Sequence, residues 1–168
     1  KDVLTLMIHE KVHIHQRIKP DFYNKLYQDW NFKKAKIKGI KQYVNNSRSN
    51  PDGDYNTWVL QFNDDYLTLI ASYNNNSNNI SSVDYQGIYL EPLYSDSDSY
   101  DYQILTSKSG EVVKKRLVEI KQFEQFFNID NNHYHPNEIS AELISIYYIN
   151  QMGYDDILDI DKHSPAMN

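Results

Sequence analysis

The 168 residues suffice for one domain with a real hydrophobic core, and the absence of cysteine excludes thiolate catalysis, cysteine-ligated metal sites and a disulfide framework. A formal net charge of −6 argues against broad nucleic-acid binding, which needs a basic surface. No apolar run reaches the length of a membrane span and no signal peptide is visible, so neither a membrane nor nucleic acid is an expected partner.

VLTLMIHEKVHIHQRI, residues 3–18, spaces its apolar side chains as a helix does, with Leu4, Ile8 and Val12 in one row and Met7, Ile14 and Ile18 in another. Pro20 ends it. A shorter helix is expected over 21–30, DFYNKLYQDW, with Asp21 as N-cap. The run KKAKIKGIKQY, 33–43, reads as a solvated edge strand blunted by lysines rather than as a patch for an acidic partner. Asn50-Pro51-Asp52-Gly53 marks a turn in a polar loop over 45–56. Strands are predicted over 57–62 and 66–73, joined as a hairpin through Asn63-Asp64-Asp65, and again over 87–94 and 102–106. The asparagine-rich stretch 74–82 reads as a loop. So does the acidic stretch 95–101, which lacks the spaced ligands, central glycine and final glutamate of a calcium-binding loop.

Helical spacing returns over 112–129, with Leu117, Ile120, Phe123 and Phe127 on one side and Asp130, Asn131 and Asn132 as breakers. The last helix is expected within 133–153, with Pro136 in its first turn and Gly153 at its C-terminal cap. Ile139, Leu143 and Ile146 make up its expected core stripe. The tail beyond it is acidic. Helices, then strands, then helices predict an α+β domain with a small antiparallel β region inserted between the outer helices.

The chemistry lies in HEKVH. His9 and His13 are four residues apart, which on a helix puts their side chains about 40° apart on one face. Both imidazoles can then reach one zinc ion at about 2.0–2.1 Å. Glu10 points to the side, where a carboxylate can take a proton from a zinc-activated water and pass it to the leaving amine. A catalytic zinc ordinarily has three protein ligands. HPNEISAE, 135–142, offers Glu138 and Glu142 at i and i+4 on the last helix. Like charges at that spacing cost a helix a few tenths of a kcal/mol, which a nearby cation relieves. Either could bind the metal while the other holds a ligand imidazole from behind. Tyr134, His133 and His135 lie just before that helix and are candidate donors to the oxyanion of a tetrahedral intermediate, although His135 can equally cap the helix. His15 points away from the ligand face, and Arg17, one turn past His13, suits a substrate carboxylate, a pair with Glu142 or plain surface.

HEKVH followed much later by NEISAE resembles the gluzincin branch of the zincin metallopeptidases, which includes thermolysin-like and anthrax-lethal-factor-like enzymes. The resemblance implies that His9, His13 and Glu138 bind zinc, that Glu10 is the general base, and that Glu142 orients a ligand histidine. It implies a zincin-like fold over 1–168, hydrolysis of peptide bonds and a peptide or protein substrate. The alternative is a zincin-like binding or interaction module without turnover. Two departures stand out: only eight residues precede His9, where zincins place a twisted sheet, and more than 120 residues separate the two motifs. The sheet lies either upstream of the sequence or in the strands between 57 and 106.

Overall fold

The computed structural model describes residues 3–44, 58–73, 83–94, 100–128 and 134–153. The expected loops over 45–56 and 74–82, most of the acidic loop, His133 and the tail lie outside these residues.

Helix α1 (Val3–Ile18) runs almost directly into α2 (Pro20–Asp29). Pro20 therefore separates two helices by opening the second, where its missing N–H is no loss. The N-cap of α2 is Lys19, and Asp21 lies two positions further in, so the expected Asp21 cap is corrected to a first-turn acid near the positive end of the helix. Asn31, at φ 62°, turns the chain out of α2.

The chain then builds a seven-stranded sheet in the order β1-β3-β4-β5-β6-β2, with β7 also on β5. These strands are β1 (Phe32–Lys34), β2 (Ile37–Lys38), β3 (Trp58–Phe62), β4 (Asp65–Tyr73), β5 (Val83–Pro92), β6 (Tyr102–Ile104) and β7 (Lys114–Arg116). All described pairings are antiparallel except β2 with β6. The lysine-rich run forms both ends of that order and then the short helix α3 (Lys41–Val44). At β1 the Lys33 ammonium lies 5.1 and 5.0 Å from the Tyr66 and Tyr102 ring centres, so its charge rests on aromatic faces. The β3–β4 hairpin pairs Phe62 with Asp65 across Asn63-Asp64, with Asn63 at φ 51°.

Strand alternation divides the apolar residues between two cores. Trp58, Leu60, Leu67 and Leu69 face the helices together with Tyr27, Phe123, Phe127 and Ile139. Val59, Ile70, Ile88 and Leu90 face the other way with Ile37 and Tyr102.

The expected helix over 112–129 is corrected at its start. Residues Lys114–Arg116 form β7, followed by a 3-10 turn (Leu117–Glu119) and only then α4 (Lys121–Phe127), closed by Asn128 at φ 41°. The reason is the length of β5. Its outer edge pairs with β6 only from Leu90 to Pro92, and β7 takes the backbone groups of Gln86–Ile88. The apolar row Leu117, Ile120, Phe123 and Phe127 is nonetheless buried as expected.

Helix α5 (Pro136–Gln151) lies against α1. Its expected stripe is also corrected: Ile139 is fully buried, Leu143 is half-buried and Ile146 is 37% exposed. Glu138, Ala141, Glu142, Ser145 and Ile149 are buried in their stead. The cause is α1, whose buried side chains are His9, Val12, His13 and Gln16 while Met7, Ile14 and Ile18 stay exposed. The two helices meet through polar and small side chains. The chain is thus α+β, with the sheet inserted between the helices that carry the two motifs.

Candidate metal centre

The α1–α5 seam brings together groups 125 to 129 positions apart in the sequence. His9 and His13 from α1 and Glu138 from α5 each offer a ligand atom, and these atoms all lie within 4.8 Å of one another. The two Nε2 atoms are 3.0 Å apart. Glu138 Oε2 is 3.3 Å from His9 Nε2, and Glu138 Oε1 is 3.5 Å from His13 Nε2. Tetrahedral ligands at zinc distances stand about 3.3–3.4 Å from each other, so the spacing fits one such ion. Exposure of the three residues is 4%, 4% and 7%.

A polar side chain stands behind each imidazole. His9 Nδ1 faces Glu142 Oε2 at 3.5 Å. His13 Nδ1 is 2.9 Å from Gln16 Oε1. Gln16 was not singled out in the sequence; the available signal is its position three residues after His13, on the same helix face. Its amide nitrogen donates to the Asn137 carbonyl at 2.8 Å and to Ser140 Oγ at 2.9 Å. Ser140 Oγ donates to the same carbonyl at 3.0 Å and lies 3.2 Å from the Tyr27 hydroxyl. Burial raises the Tyr27 phenol far above its ordinary value, so it stays protonated.

Burial and hydrogen bonding act against each other on the ionisable groups of the seam. For Glu138, burial works to raise the pKa, but hydrogen bonds with His13 and His9 outweigh it and bring it down to about 2. For His13, burial works to lower the pKa, but hydrogen bonds with Glu138 and Gln16 outweigh it and the net shift from 6.5 is upward. Two buried carboxylates opposite two imidazoles are costly without compensating positive charge.

The other expected residues are placed as follows. Glu10 follows His9 by one step of about 100° round α1 and is exposed. Tyr134 and His135 are buried at the start of α5. The Tyr134 ring stacks on Tyr85 with centres 6.2 Å apart. His135 is the N-cap of α5, its Nδ1 accepting from the Asn137 N–H at 3.2 Å. Both line a small pocket with Phe32, Trp58, Thr68, Leu69 and Pro136. His15 is exposed and bonds the Tyr23 hydroxyl at 3.1 Å, away from the ligand pair. Arg17 is exposed.

No protein-family model, no curated protein and no solved structure matches the chain. Among the described residues, no helix is long and apolar enough to cross a membrane.

Proposed function

We propose that the chain is a zinc-dependent metallopeptidase of gluzincin type, with His9, His13 and Glu138 as the metal ligands and Glu10 as general base. The observation that carries the reading is the convergence of two imidazole Nε2 atoms and a carboxylate at 3.0–3.5 Å. Acceptor atoms that close repel unless a proton or a cation lies among them. The donor set, nitrogen and oxygen without sulfur, suits zinc.

When bound, zinc lowers the pKa of a water molecule and polarises the peptide carbonyl. The chain's own residues supply the rest. His9 and His13 present Nε2, and Glu138 presents both oxygens from the facing helix. Glu142 holds His9 through Nδ1. Glu10, next to the ligand pair in sequence, takes the proton of the attacking water and delivers it to the departing amine. Its exposure leaves it open to substrate from the solvent side. The substrate class is a peptide or protein.

Substituting Glu10→Gln tests the reading. Peptide hydrolysis should fall by about 10²–10⁴-fold while one zinc per chain is retained. Zinc retained with no hydrolysis by the unsubstituted chain across a broad peptide library would instead favour a binding module.

A further inference from the structure

We infer that Gln16 is a positioning residue that fixes the tautomer of His13, keeping the proton on Nδ1 and the Nε2 lone pair free for a metal. This deepens the metal reading above and rests on it for its consequence, but not for its geometry.

The proton positions follow from one group, the Asn137 carbonyl, which can only accept. It receives a Gln16 Nε2–H at 2.8 Å and the Ser140 hydroxyl at 3.0 Å. With its single proton committed there, Ser140 Oγ acts as acceptor toward the second Gln16 Nε2–H at 2.9 Å and toward the Tyr27 hydroxyl at 3.2 Å. Both protons of the Gln16 amide therefore point at α5. Its other end, Oε1, carries no proton and faces His13 Nδ1 at 2.9 Å. Only an Nδ1–H makes that contact a hydrogen bond. Flipping the amide would set Oε1 against the Asn137 carbonyl, acceptor to acceptor, so the network determines the orientation. Gln16 is 6% and Ser140 0% exposed, so water does not compete for these bonds. Asn137 immediately precedes Glu138, and the same amide thus ties the second histidine to the first turn of α5, which delivers the carboxylate ligand.

Long-range proton–nitrogen spectra of the metal-free, full-length chain, taken at a pH above the His13 titration, read the tautomer directly. Wild type should show His13 with Nδ1 protonated. Ser140→Ala, which leaves the Asn137 carbonyl in place, should keep that signature. Gln16→Met, similar in shape but without acceptor or donors, should lose it. In zinc competition with a chelator, Gln16→Met should bind about 10–100-fold more weakly than wild type, and Ser140→Ala within a few-fold of it. A wild-type His13 protonated on Nε2 would overturn the inference, as would Gln16→Met with tautomer and zinc affinity unchanged. Because the wild-type spectrum needs no variant and no metal, failure of Gln16→Met to fold leaves the inference open to refutation. Failure of wild type to bind zinc would overturn the metal reading alone.

Discussion

At the scale of residues, the centre is a small set of acids and bases held by burial. The sequence makes His9, His13 and the glutamate pair of the last helix legible, because helical spacing alone puts each pair on one face. Gln16 is not legible in the same way. Its spacing of three from His13 puts it on the same face, but a glutamine there is ordinary, and its role exists only once α5 supplies a carbonyl and a hydroxyl. Removing Glu142 as Glu142→Ala should weaken zinc binding by about 10–100-fold, measured by chelator competition, because His9 Nδ1 then loses the carboxylate at 3.5 Å. The pH dependence has a defined sign. Glu138 falls from 4.5 to about 2 in the folded chain, so its contribution to stability is present above 4.5 and is lost as pH drops toward 2. His13 is raised above 6.5, so its contribution is present below 6.5 and is lost as pH rises through the folded value. For this pair the metal-free chain is predicted to be most stable between 4.5 and 6.5, and urea midpoints across pH measure it. Zinc affinity should rise with pH through the same His13 titration, because the ion displaces its proton.

At the scale of elements, the apolar row Leu117, Ile120, Phe123 and Phe127 shows what a pattern can and cannot tell. Those positions are buried, yet a row spaced like a helix does not reveal that Lys114–Arg116 will be claimed by the open edge of β5. Ile146 failed as a core residue for a related reason: an apolar residue at the right spacing stays outside when the partner helix presents imidazoles and an amide. The hairpin through Asn63 was legible because its turn chemistry is local. Gly87 lies where β5 and the segment after β7 approach each other closely. A Cβ there would lie 3.0 Å from Ile120 Cδ1 and 3.3 Å from Leu117 Cδ2. Gly87→Ala is therefore expected to destabilise the chain by about 1–3 kcal/mol through overpacking, measured by denaturant unfolding. An unchanged midpoint would show that Leu117 and Ile120 yield freely.

At the scale of the whole molecule, the α1–α5 seam has a different character from the sheet. The sheet is held by two apolar cores, and its pairings extend over the length of β4 and β5. The seam holds two carboxylates and two imidazoles with exposures of 4–7%. A cation there should stabilise the fold by mass action, by about 2.7 kcal/mol at a free concentration 100 times the dissociation constant. Hydrogen exchange with and without chelator localises the effect: protection should fall first in α1 and α5, with β4 and β5 retaining theirs. Equal loss throughout would mean that the seam and sheet unfold as one unit.

The central claim is that His9, His13 and Glu138 hold one zinc ion between them. Equilibrium dialysis of the full chain and its Glu138→Ala variant against zinc tests it most directly. The account predicts one ion per wild-type chain and at least a hundredfold weaker binding by Glu138→Ala, the loss of one of three protein ligands. A wild-type chain that takes up no zinc, or a Glu138→Ala chain that binds it as tightly as wild type, would contradict it.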